Sequence, residues 1–152
     1  MGMDVIMNKC AIMERCVKRV SDEYAGDPAS LENITKQDAM ILNILRACEA
    51  AIDLAMHIVA ECSLGVPQSS RDAVDMLQQH AFITVDSALA IKNMIGFRNV
   101  AVHDYQALNL TIVQAVIERH LTDFSRYASE VRHSTLGAKG RFKDAEETDC
   151  FI

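Results

Sequence analysis

Apolar residues recur along this chain at alternating steps of three and four, the spacing that gathers them on one stripe of an α-helix. In the first segment Ile6, Cys10, Met13, Val17, Val20 and Tyr24 form such a stripe, and Lys9, Arg15, Lys18 and Arg19 take the other faces. Gly26-Asp27-Pro28 predicts where that helix stops, because glycine admits a left-handed residue and proline restricts the one before it. After a loop to about Ile34, a longer second helix is expected from Thr35, whose hydroxyl can cap, with Asp38 suited to the positive end. Its stripe is Ile41, Leu45, Cys48, Ile52, Ala55, Val59 and Cys62. Further apolar positions at Leu42, Ile44, Leu54 and Ile58 widen the stripe into a central helix buried on several sides.

Gly65-Val66-Pro67 closes that helix, and Ser69 or Ser70 caps a short one over about residues 71–80. Thr84 or Asp86 opens another, carrying Ala88, Leu89, Ile91 and Ile95. Asn109 caps the last, whose core face is Val113, Ile117, Leu121, Phe124, Ala128 and Val131 and whose end is expected near His133. Residues 134–152 show no helical stripe and read as a flexible C-terminal tail. The expected organisation is one all-α domain over residues 1–133, an up-and-down bundle of four to five helices.

Composition agrees with this and narrows the function. A chain of 152 residues suits one domain, and 50% hydrophobic content supplies a core that a disordered chain would lack. The formal charge of −6 removes any general attraction to nucleic acid, so such a partner must be met by a local patch. Charged residues interrupt every apolar run before the roughly 20 residues a membrane span needs. The start of the chain does not read as a signal peptide. The five cysteines form no Cys-x-x-Cys pair, and with the missing signal peptide they imply reduced thiols in the cytoplasm.

Cofactor and metal signatures are weak. Di-iron bundles need Glu-x-x-His on two helices, and none occurs. Asp53 and His57 stand one turn apart without a third ligand, so a hydrogen-bonded pair is the better reading. Glu118 and His120 face different sides of a helix and read as solvated. There is no glycine-rich phosphate loop, and no cofactor is expected.

The crowded segment is Gly96-Phe97-Arg98-Asn99-Val100-Ala101-Val102-His103-Asp104-Tyr105, at the end of a helix. Arg98 followed by His103 says little alone. Asn99 directly after the arginine and Tyr105 two after the histidine lower the chance expectation by about three orders of magnitude. An imidazole titrates near neutral pH and suits general acid or base work. A guanidinium presents a fork of donors matched to phosphate oxygens and stays charged.

On these residues the chain resembles the HEPN superfamily, whose ribonuclease members carry Arg, then Asn, Asp or His, three variable residues, and His. Tyr105 narrows the resemblance to the HepT-like toxins. It extends over about residues 3–133 and includes Arg46, Glu49 and Asp53 on the second helix and the segment from Gly65 to Asp72. The resemblance implies a homodimeric, metal-independent endoribonuclease that cleaves RNA and is paired with a small nucleotidyltransferase antitoxin. That antitoxin would attach AMP to Tyr105. Arg98 and His103 would be catalytic and Asn99 supporting.

Residues five apart on an ideal helix differ by about 140° in direction, so Arg98 and His103 of one chain converge only if the helix bends or a second chain contributes. A dimer with its motifs facing would gather two of each in one cleft. Gly96 would let a neighbouring helix approach. Glu49 and Asp53 either orient the arginine or belong to a solvated face. The competing class is a non-catalytic helical module that docks a nucleotidyltransferase or nucleotide with the same residues.

Overall fold

The computed structural model describes residues 2–141, which are helical apart from turns and contain no strand. The elements are α1 (Gly2–Tyr24), α2 (Ile34–Glu61), α3 (Ser70–Gln79), α4 (Val85–His103), α5 (Leu110–Ala115) and α6 (Leu121–Arg141). A π-helical turn, Val116–His120, joins α5 to α6 as one continuous rod.

The expected stripes form the core. Ile6, Cys10, Met13 and Val20 of α1, Ile44, Leu54 and Ile58 of α2, Ile91 of α4, and Phe124, Tyr127 and Val131 of α6 are all essentially inaccessible. The long central α2 packs most extensively on α1 and also touches α3, α4 and α6. Tyr127 ties the rod to it by donating from its hydroxyl to the Ala51 carbonyl at 2.8 Å. Cys10, Cys16 and Cys48 are free and buried, small apolar groups in the packing.

Capping chemistry sets the boundaries. α1 ends in two left-handed residues, Ala25 (φ 53°) and Gly26 (φ 68°). Asp27 then caps a 3-10 turn over Pro28–Glu32. That turn delivers Asn33, not Thr35, to the cap of α2, where its side chain accepts from Lys36 N at 3.1 Å. Thr35 therefore falls inside the first turn. Ser69, Thr84 and Asn109 cap α3, α4 and α5 as their side chains predict.

The last helix departs from expectation by continuing past His133 to Arg141. The polar residues there satisfy themselves on backbone. The Thr135 hydroxyl donates to Val131 O at 2.9 Å while the residue is fully buried, and Ser134 Oγ donates to Phe82 O at 2.8 Å. Breaking the apolar stripe thus does not break the helix. Residues 142–152 of the expected tail lie outside the described residues. Glu118 is not simply solvated, since its carboxylate receives the Tyr24 hydroxyl across the bundle.

Candidate active site

All the motif residues sit at one end of the bundle because α4 ends there. Thr84 fixes its start, accepting from Ser87 N at 3.2 Å. Its last residue is His103, and Asp104 forms the C-cap with its N–H donating to the Val100 carbonyl. Arg98 and Asn99 lie in the preceding turns, and Tyr105 opens the 3-10 turn Tyr105–Ala107.

Arg98 is clamped from two sides. Its Nε donates to Glu49 Oε2 on α2 at 2.6 Å, and its Nη1 donates to Asn99 Oδ1 at 3.0 Å. The Arg98 side chain retains 27% exposure, so it is not sealed inside the bundle. Glu49 is the functional candidate the sequence left undecided, and the pairing separates it from Asp53, which accepts instead from Lys9 Nζ at 3.2 Å. The signal was there in outline, as an acid on the helix expected to be central. Only the crossing of α2 and α4 selects which acid reaches the arginine.

His103 is exposed and has no hydrogen-bond partner among the described residues. Because α4 runs helical through it, its side chain departs about 140° from the direction of Arg98. The geometry therefore brings Arg98 to Asn99 and Glu49 but directs the imidazole of the same chain elsewhere. Asn99, four residues before His103, is within about 40° of its direction and draws one guanidinium nitrogen toward that side.

Tyr105 donates its hydroxyl to Asp38 Oδ1 of α2 at 2.5 Å. Burial first, and the Asp38 carboxylate second, push its pKa up to about 12. The ring borders a hollow of about 280 Å³ with Ile41, Leu42, Leu45 and Ala101. Leu42 in this hollow, and Val100 and Val102 on either side of Ala101 in α4, expose roughly half of their surface. Cys48, adjacent to Glu49 in sequence, is held protonated by burial, which raises its thiol to about 12, and it is not a nucleophile here. A larger hollow of about 540 Å³ between α4 and α5, lined by Leu89, Phe97 and Ile112, contains no motif residue. Among the described residues no group of three or more His, Cys, Asp or Glu gathers as a metal site, and Asp53 is engaged by Lys9.

An all-helical bundle with Arg-Asn-x-x-x-His closing one helix, and a tyrosine two residues beyond, defines a protein of the HEPN class. Its family is the ribonuclease HepT-like family, which matches residues 13–131 and to which the chain belongs. It is similar to the mRNA nuclease HepT of Shewanella oneidensis, 45% identical over 129 residues that cover 85% of this chain and 97% of that protein. Among solved structures it resembles a chain of a toxin–antitoxin crystal structure with AMP-PNP, at a TM-score of 0.81 and 45% identity, covering 86% of this chain and 98% of the other. A tri-AMPylated Shewanella oneidensis HEPN toxin in complex with an MNT antitoxin gives a TM-score of 0.80 and 46% identity, with 86% and 98% coverage. The expected family and the expected all-α fold both hold.

Proposed function

We propose that the protein is an endoribonuclease toxin that acts as a homodimer in the cytoplasm, cleaves RNA without a bound metal, and is silenced when a nucleotidyltransferase antitoxin attaches AMP to Tyr105. The observation that carries this reading is the clamped Arg98 and the free His103 on the last turns of one helix, in a chain of the ribonuclease HepT-like family.

RNA brings its own nucleophile. His103 takes the proton of a 2′-hydroxyl, the freed oxygen attacks the adjacent phosphorus, and the P–O5′ bond breaks as the leaving oxygen takes a proton from water, which the imidazolium then restores. Arg98, charged and held in place, stabilises the extra negative charge on the phosphoryl oxygens. Glu49 and Asn99 are positioning residues that hold the guanidinium. The divergence of Arg98 and His103 within one chain supports a shared site between two protomers, and the exposed Leu42, Val100 and Val102 around the motif suit a covered apolar rim. Tyr105, at the mouth of this site, places any attached phosphate and adenosine where they obstruct RNA.

The test is His103→Ala, scored on single-stranded RNA. Cleavage should fall by roughly 10²–10⁴-fold while the variant remains folded and dimeric. Undiminished cleavage would remove His103 from the chemistry and leave the non-catalytic docking module as the better reading.

A further inference from the structure

Gly96 lies seven residues before His103 on α4. A Cβ there would fall 2.7 Å from Nη2 of Arg71, so the missing side chain seats a guanidinium from α3 against the helix; no neighbouring backbone takes that space. Arg71 comes from the first turn of α3, and its Nε donates to the Lys92 carbonyl only at a long 3.4 Å. It is exposed and pairs with no carboxylate among the described residues, whereas Lys92 beside it is neutralised by Asp75 at 2.7 Å.

The helical repeat places this charge relative to the motif. At 100° per residue His103 points within about 20° of Gly96 and stands about 10 Å further along the axis, with Asn99 about 60° to the side. The seated guanidinium and the imidazole therefore occupy one face of α4. A stacked strand rises about 3.4 Å per nucleotide along its axis and its backbone also winds, so successive phosphates stand further apart than that and about one or two nucleotides span the distance between them. In a protein of net charge −6, an uncompensated guanidinium on that face is the local patch that attraction to RNA requires.

We propose that Arg71 binds a flanking phosphate of the RNA, about one or two nucleotides from the scissile one, with Gly96 as the floor that positions it. The proposal rests on the ribonuclease reading and names a subsite of that same face. Its ligand is the sugar–phosphate backbone, without preference for a base. Because this phosphate does not react, the contact is equal in ground and transition states and acts on KM, not on kcat.

Full-length wild type, Arg71→Ala and Gly96→Ala are compared on a dinucleotide and on a longer single-stranded RNA. Arg71→Ala should raise KM for the longer RNA about tenfold with kcat unchanged. It should leave the dinucleotide unaffected and reduce the salt dependence of log K by about 0.7. Gly96→Ala keeps the charge but displaces the guanidinium, and should shift KM in the same direction without loss of thermal stability, since alanine favours a helix more than glycine. Fluorescence anisotropy with a 2′-O-methyl version of the longer RNA, which cannot be cut this way, reads the contact independently of cleavage. A wild type that binds this probe more tightly than Arg71→Ala but cuts nothing would refute the nuclease reading and uphold the subsite. Equal affinity and equal KM for wild type and Arg71→Ala would overturn the subsite. So would an Arg71→Ala variant that loses only the antitoxin, which would assign the face to that partner.

Discussion

Glu49 Oε2 of α2 accepts from Nε of Arg98 of α4 at 2.6 Å, and Nη1 of the same guanidinium is held by Asn99 Oδ1 at 3.0 Å. The fork is thus oriented by two of its nitrogens, a fixed placement that suits a phosphate.

Both partners of that pair are partly exposed, at 27% for Arg98 and 47% for Glu49, so screening limits what it adds to folding to about 1 kcal/mol or less. Its value lies in placement. Glu49→Gln should lower kcat roughly tenfold, and Glu49→Ala up to about 100-fold, with little change in KM or in melting temperature. Single-turnover cleavage beside a thermal melt checks this, and a loss of activity that merely tracked unfolding would contradict it.

Tyr105 gives a pH-dependent signature. Burial and then Asp38 hold its phenol at about 12, above the ordinary value near 10, so the native state keeps this proton longer than the unfolded chain. The resulting stabilisation is complete below about pH 10 and is lost as pH rises toward 12. Asp38→Asn should lower the Tyr105 titration only part of the way, because burial is the larger cause; NMR of isotope-labelled tyrosine reads it. Under the proposed modification the AMP ester has no proton to donate and sets a negative phosphate beside the Asp38 carboxylate. The modified side chain must then leave α2, and amide exchange over the Tyr105–Ala107 turn should quicken.

What the sequence revealed, and what it hid, divides along local and non-local physics. Stripes such as Ile6 to Tyr24 and Val113 to Val131 were legible because burial of one face needs only the chain's own periodicity. Asn33 was missed as a cap because the 3-10 turn that precedes it depends on Asp27 closing onto Ala29. The continuation through Ser134 and Thr135 was missed because a polar pair with internally satisfied hydroxyls resembles a loop in a linear reading. At the site, Arg98, Asn99, His103 and Tyr105 stood out by spacing. Glu49 was paired with Asp53 by its spacing but could not be told from it, and Asp38 and Arg71 did not stand out as site residues, since each reaches the site from another helix and contact across the bundle leaves no mark in the spacing.

The rod formed by α5 and α6 is anchored to α2 by Tyr127, which is fully buried and bonded to the Ala51 carbonyl at 2.8 Å. Tyr127→Phe removes only that hydrogen bond and should cost about 1 kcal/mol. Phe124→Ala empties a fully buried site on the same rod and should cost about 3–5 kcal/mol. Urea unfolding compares the two, and near-equal costs would show that the hydroxyl contributes more than a single bond.

The strongest test of a site shared between protomers uses two dead enzymes. Arg98 lies against α2, while His103 leaves the same helix about 140° away. If the arginine of one chain serves the histidine of the other, a dimer has two composite sites. In a heterodimer of Arg98→Ala with His103→Ala, one of those sites loses both groups and the other retains both. Equal mixing with free exchange makes half of the dimers hetero, each with one intact site of two, so about a quarter of wild-type activity should return. If each chain used its own pair, every site in the mixture would lack one group and activity would stay at the level of the separate variants. Cleavage measured after the two variants are unfolded and refolded together, against each refolded alone, distinguishes these outcomes without any assumption about which RNA is cut.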